Sequence, residues 1–240
     1  MKAIILAAGV GKRLKNHGQG LPKCLVEIGG IPLLVRMLSS LKKLGITDRV
    51  VVVGYEKERI EQLVKELSDG IGPVRLRVNP DYRKGSILSL WSVRDEFNEN
   101  LLIMDADVLF PDALLSKLIH SPHSNALLLD PRSSSTGEEM MLMIKGDRVV
   151  HIGRKVEGPY DLIGEGVGFL KLSRQDAPLL KQALEKLVND GKDGCEYEDA
   201  IELFLQKVVV GYEPVGTFAW IEIDFPEDIQ KAEKEILPKL

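Results

Sequence analysis

Cysteine is scarce in these 240 residues: Cys24 and Cys195 stand alone, with no metal-ligand spacing around them. That excludes a disulfide scaffold or a zinc module, and two reduced thiols in a cytoplasmic protein are expected. A basic surplus is missing too. With 32 Lys+Arg against 36 Asp+Glu the net charge is −4, which argues against a sequence-independent nucleic-acid binder while leaving room for a local basic pocket. Apolar runs such as "RVVVVGY" and "NALLLD" are far too short to span a bilayer. The opening "MKAIILAA" passes straight into "GVGKRLK", with no small-residue cleavage stretch, so it reads as a buried first strand rather than a leader. His17, His120, His123 and His151 have no ligand spacing, and catalytic or zinc roles find no support there. No repeat and no Pro/Gly/Ser-rich linker divides the chain. One domain over 1–240 is expected, with a first half to about residue 124 and a second from about 125.

What is present is an alternation of short β-rich runs with helical segments. "KAIILAA", "RVVVVG", "VRLRVNP" and "NLLIMDAD" read as strands. Between them lie the helical patterns "PLLVRMLSSLKKLG", closed by Gly45, "EKERIEQLVKELSDG", and "GSILSLWSVRDEF" with Ser86 near its N-cap. Strands apolar on both faces and alternating with helices imply a parallel sheet covered on both sides. After Asn125 the character changes. "NALLLD", "EEMMLMIKGDRVVHIG" and "GEGVGFLKLS" read as sheet, with a hairpin turn at Gly146-Asp147. Two helices follow, then the strands "KVVVGYEPV" and "AWIEI" and a last helix opening at Pro226. The class predicted is α/β: a Rossmann-like, mixed but mostly parallel sheet sandwiched by helices and shared by both halves.

Three candidate sites fall where strands of such a sheet end, the place where open parallel sheets bind ligands. The first is "LAAGVGKRL", Leu6 to Leu14. A Walker loop needs a glycine where Leu6 stands and a Ser or Thr where Arg13 stands, and a dinucleotide fingerprint needs a glycine in place of Leu14; both readings fail. Ala7, Ala8, Gly9 and Gly11 still let backbone amides face phosphate oxygens, with Lys12 and Arg13 adding charge. A plain turn with solvated basic residues fits as well. The second is Lys23, placed just past Pro22 in "LPKCLVEIGGIPLL", which could reach the same phosphates or simply lie on the surface. The third is "LIMDADVLF". Asp105 and Asp107 alternate on one face, as hard ligands for Mg²⁺ or with one of them capping the helix near Pro111. Glu222 and Asp224 in "WIEIDFPED" repeat that alternation, with Asp224 equally placed to cap the final helix.

Taken together, these stretches resemble the nucleotidyltransferases that join a nucleoside triphosphate to a phosphorylated acceptor. The opening signature L-A-A-G-x-G-x-R-L, then P-K, then G-x-P, is matched at Leu6 to Leu14, Pro22-Lys23 and Gly30 to Pro32. Where the family usually has a base-reading glutamine and P-x-G, this chain has "NPDYRKGSILSL", closer to the cytidylyltransferases for phosphocholine, 2-aminoethylphosphonate and inositol-1-phosphate. The resemblance implies a nucleotide-diphospho-sugar transferase (GT-A-like) fold and Mg²⁺ as cofactor. It implies that the loop from Leu6 to Lys12, with Gly85, Ser86 and Asp105, binds the triphosphate, CTP being favoured. Arg13 would sit on the departing phosphates, Lys23 on the transferred and attacking ones, and Asp107 and Asp224 on the metal. Acceptor contacts are expected from Lys155, on the acceptor phosphate, and from Glu165, Glu139 and Trp220. With aromatics at only 5%, a polyol such as inositol-1-phosphate is favoured over a choline-type head. A sugar-1-phosphate transferase using UTP, dTTP or GTP is the competing reading. No nucleic acid and no membrane are expected as partners, and a homodimer is left open.

Overall fold

The computed structural model describes residues 1–14, 20–133 and 137–240. In chain order the first half gives β1 (Lys2–Ala7), β2 (Glu27–Ile28), β3 (Ile31–Pro32), α1 (Leu33–Lys43), β4 (Asp48–Val53), α2 (Lys57–Glu66), α3 (Ser68–Ile71), β5 (Arg75–Val78), α4 (Ile87–Trp91), β6 (Leu101–Asp105), β7 (Val108–Leu109) and α5 (Asp112–Ile119). The second half gives β8 (Ala126–Asp130), β9 (Met141–Lys145), β10 (Arg148–Gly153), β11 (Leu162–Leu172), α6 (Ala177–Asn189), α7 (Tyr197–Leu205), β12 (Gly211–Pro214), β13 (Ile221–Glu222) and α8 (Pro226–Lys231). A π-helical turn, Ala232–Ile236, continues α8. Among the described residues no helix is long and apolar enough to cross a membrane.

The main sheet runs β10-β9-β11-β6-β1-β4-β5, with β8 lying against β11 and β12 against β8. β4, β1 and β6 pair in parallel, and each is buried on both faces, as their unbroken apolar runs require. α1, α2 and α5 pack over one face, while α4, α6 and α7 pack over the other. β11 is the seam between the halves: it runs antiparallel to β6, β8 and β9, so one sheet passes unbroken from the parallel strands to the hairpin β9–β10. That hairpin turns at Gly146, whose φ of +63° suits glycine.

Two sequence expectations differ in detail. "AWIEI" does not close the main sheet; only Ile221–Glu222 is strand, and it pairs antiparallel with β7 in a separate ladder. Ser86 does precede α4, but its hydroxyl caps nothing and instead accepts a hydrogen bond from the Tyr197 amide at 2.9 Å. Both differences arise because a distant segment offers the pairing partner, which local pattern cannot reveal.

Candidate active site

Parallel pairing of β1 with β6 sets Leu6 opposite Asp105. The loop after Ala7 and the segment 105–107 therefore leave the same edge of the sheet side by side. The ladder β7–β13 adds the third piece. Glu222 lies opposite Val108, and the Ile223 amide donates to the Asp107 carbonyl at 2.9 Å, so backbone pairing carries Asp224 to Asp107 across more than a hundred residues.

Both capping alternatives resolve. Asp228, three residues into the start of α8, accepts from the amides of Asp224 (2.9 Å) and Phe225 (2.7 Å), so the Asp224 carboxylate is not the cap. Likewise Pro111 occupies the N-cap of α5, and the first-turn Asp112 bonds Ser40 and Lys43. Asp107 and Asp224 instead share Lys23: its ammonium lies 2.9 Å from Asp107 Oδ2 and is hydrogen-bonded to Asp224 Oδ1. Burial by itself would lower the Lys23 pKa, but the two carboxylates outweigh it and hold the ammonium above its usual value. Gly11 makes room for this lysine. Its φ is +58°, and a Cβ there would come within 2.8 Å of Lys23 Cγ.

Arg13 pairs with Glu138 and lies 3.6 Å from Asp224, with its guanidinium 5.0 Å from the centroid of the Phe225 ring. The Arg13–Glu138 pair is exposed on both sides, so it adds little stability and yields readily to an anionic ligand. Leu6, Ala8, Gly9, Gly11, Arg13, Lys23, Ser86 and Asp105 line one cavity of about 420 Å³, and Ala7 lies beside it in a small pocket shared with Lys23 and Asp107. Gly85 supports this wall from behind, its amide donating to the Asp193 carbonyl at 3.0 Å. The side chain of Lys12 and all of His17 lie outside the described residues.

Among the described residues one group of potential metal ligands stands out: Asp107, Glu222 and Asp224 each bring an oxygen within 4.8 Å of the others. Three carboxylates on the rim of a phosphate-sized cavity fit a hard divalent cation. Glu222, which the sequence offered only as half of an alternating pair, joins the two expected aspartates.

A second cavity of about 320 Å³ opens from the same point, between β11 and α7. Its floor is acidic and its walls are apolar: Asp105, Glu198 and Glu222 face Phe169, Tyr197 and Met140. The Tyr197 hydroxyl donates to Asp105 Oδ2 at 2.8 Å. Gly168, with φ +78°, lets Asp105 sit there; a Cβ would meet Asp105 Oδ2 at 2.3 Å. Burial, then repulsion from Glu198 and Asp107, pushes the Asp105 carboxyl well above the usual range. Burial likewise raises Glu222, with Asp107 and Asp224 adding to it, and lifts Glu198 to about 8.

That Glu198 shift makes a stability prediction. The unfolded carboxyl titrates near pH 4.3, at about its reference value, and the folded one near 8. Between these limits the folded state binds more protons, so stability falls as pH rises, and the full penalty is present above about pH 8. Glu198→Gln should therefore flatten the decline in thermal midpoint between pH 5 and 9 (about the window of the two pKa values). An unchanged slope would show that Glu198 is ionised throughout.

The expected acceptor residues divide. Glu165, Glu139 and Trp220 line a third cavity of about 460 Å³, together with Asp224 and Phe225. There the Trp220 indole donates to Asp130 at 2.8 Å, and burial pushes the Glu165 carboxyl up. Lys155 lies elsewhere, in a cavity with His151, Cys195 and Glu202, its carbonyl 3.0 Å from His151 Nε2. Its neighbour Arg154, absent from the sequence expectation, lines that cavity too and also reaches the 320 Å³ and the 420 Å³ cavities. Adjacent residues leaving a strand diverge in direction, and the spacing of "GRK" does not say which one turns inward.

A family model for the MobA-like NTP transferase domain matches residues 3–153. The chain belongs to this family. It is 37% identical to a choline-phosphate cytidylyltransferase of Streptococcus pneumoniae, covering 98% of this chain and 97% of that protein. It is 28% identical to the "Bifunctional IPC transferase and DIPP synthase" of Rubrobacter xylanophilus over 98% of this chain, and there it spans about half (52%) of the relative's length. The fold matches that of the inositol-1-phosphate CTP transferase from T. maritima with a TM-score of 0.77 at 22% identity, covering 98% and 97% of the two chains. The mostly parallel, helix-flanked sheet expected from sequence is thus the nucleotidyltransferase fold, and the chain is a nucleotidyltransferase.

Proposed function

We propose that this enzyme is a Mg²⁺-dependent cytidylyltransferase that joins CMP from CTP to a small phosphorylated alcohol carrying a cationic head, phosphocholine being the favoured acceptor. The carrying observation is the 320 Å³ cavity, which shares Lys23, Asp105 and Asp107 with the loop cavity and is floored by the buried carboxyl groups of Asp105, Glu198 and Glu222. A trimethylammonium entering beside Asp105, Glu198 and Glu222, against Tyr197 and Phe169, would favour ionisation of these raised carboxyls and pair with the charge. A neutral polyol would not. Low aromatic content favoured inositol-1-phosphate, but a cage needs only two or three rings, and the fold gathers them at the acidic floor. The choline-phosphate relative, at 37% identity, agrees with this choice.

In this reading the triphosphate lies along Leu6–Arg13, with Arg13 on the departing β- and γ-phosphates and Ser86 and Asp105 on the nucleoside side. Asp107 and Asp224, with Glu222 beside them, would hold Mg²⁺, which when bound supplies charge neutralisation at the α-phosphate. An oxygen of the acceptor phosphate attacks the α-phosphorus in line. One P–O bond forms, the bond to the β-phosphate breaks, and pyrophosphate leaves with the electron pair. The nucleophile is already anionic, so no strong general base is required, and the cationic side chains act mainly by bringing two polyanions together.

The test is pyrophosphate release with Mg²⁺, each of the four nucleoside triphosphates, and phosphocholine, 2-aminoethylphosphonate, inositol-1-phosphate or a hexose-1-phosphate. Release with CTP and a cationic acceptor is expected. Release only with UTP and a hexose-1-phosphate would overturn the cytidylyl reading, and release only with inositol-1-phosphate would overturn the cationic head.

A further inference from the structure

We infer that Arg154 binds the phosphate of the acceptor and so sets the position from which the attack begins. This rests on the reading of the 320 Å³ cavity as the acceptor chamber. Arg154 follows β10 directly, at the mouth where that chamber meets the nucleotide cavity. Six described residues line both spaces: Lys23, Ser86, Asp105, Asp107, Arg154 and Glu196. Only two of the six are cations. Lys23 is committed to the Asp107–Asp224 side, where the α-phosphate must lie. Arg154 is the cation on the other side.

Charge makes the assignment necessary as well as geometric. The mouth also carries Asp107 and Glu196, with Glu138 nearby in the acceptor chamber. A phosphate dianion does not settle beside these three carboxylates without a counter-charge, and a cationic head seated on the chamber floor leaves its phosphate at the mouth. Arg154 is already aimed. Its Nη2 lies 2.7 Å from Glu196 Oε1 and its Nη1 3.4 Å from the Glu138 carbonyl, while the side chain stays 41% exposed. A guanidinium carries five N–H donors, so these contacts fix its plane and leave donors for a phosphate fork. Glu196 is itself fixed as the N-cap of α7, in a reciprocal cap with Asp199. The same helix that brings Tyr197 and Glu198 to the head group thereby orients the residue for the phosphate.

The experiment compares wild type, Arg154→Met and Arg154→Lys by steady-state kinetics, and by calorimetric titration of two pairs, phosphocholine with choline and inositol-1-phosphate with inositol. Wild-type turnover with CTP and either ester reports on the cytidylyl reading by itself. For the ester that is turned over, Arg154→Met should raise the acceptor KM about ten- to hundredfold, the range for a charge-assisted hydrogen-bond pair, while the KM for CTP stays within about threefold. Affinity for that ester should fall in the titration and affinity for its dephosphorylated alcohol should not, with Arg154→Lys recovering part of the loss. Equal weakening of ester and alcohol would show a purely structural tie to α7 and overturn the assignment. So would an acceptor KM unchanged in Arg154→Met, an increase confined to CTP, or a wild type that binds neither ester.

Discussion

Asp107→Asn should lower kcat about a thousandfold or more and leave the fold intact. Each factor of ten costs about 1.4 kcal/mol, and a metal held at the reacting phosphate supplies several kcal/mol of charge stabilisation. Asp107 would be central to that hold, because its carboxylate meets those of Glu222 and Asp224 and also pairs with Lys23. The substitution removes one charge at nearly constant volume. The Asp107 carbonyl still accepts the Ile223 amide, so the β7–β13 ladder that carries Asp224 is preserved. Pyrophosphate release in a Mg²⁺ titration, beside a thermal melt, checks both halves of the claim. A variant within about tenfold of wild type at low Mg²⁺ would show that the metal is held elsewhere.

Lys23→Met should produce two opposite effects. Turnover should fall about a hundred- to a thousandfold, the usual cost of removing one charge donor from a developing anionic centre. Divalent-metal affinity of the nucleotide-free protein should rise, because the Lys23 ammonium bonds the same two carboxylates that would ligate the metal. In the proposed mechanism, metal and lysine would compete for Asp107 and Asp224 until a triphosphate arrives to take the lysine. The methionine stem keeps its packing under Gly11, so the loop should hold its shape. Mn²⁺ binding followed by electron paramagnetic resonance, without nucleotide, separates this from a general loss of structure. Unchanged or weaker Mn²⁺ binding would exclude the competition.

Residues that stay close in sequence, or that obey a strand's alternation, were legible before the structure. The Leu6–Leu14 loop, Lys23, Asp107 and Asp224 all converge on one edge, as proposed from their positions at strand ends. Asp224 illustrates the limit of that method. Its carboxylate could cap α8 or face the site, and Asp228 decides the matter by taking the capping role itself. Arg154 and Lys155 are a sharper case. Two adjacent basic residues carry the same local signal and both line the cavity with His151, yet only Arg154 also reaches the 320 Å³ and 420 Å³ cavities. Glu165 and Trp220 likewise fall beside Asp130, Glu165 through the pairing of β11 with β8 and Trp220 through its indole hydrogen bond to Asp130.

The sequence by itself determined the class of fold and the glycine-rich loop that lines the 420 Å³ cavity. Unbroken apolar strands can be buried only between two layers of helices, and a glycine-rich turn at the end of such a strand exposes its amides. Tertiary structure alone decided which carboxylates meet. Asp107 and Asp224 are joined by backbone pairing between two-residue strands too short to leave a periodic signal. The acidic chamber of Asp105, Glu198 and Glu222 gathers residues from β6, α7 and β13, and their raised carboxyls exist only once the sheet and α7 have closed around them.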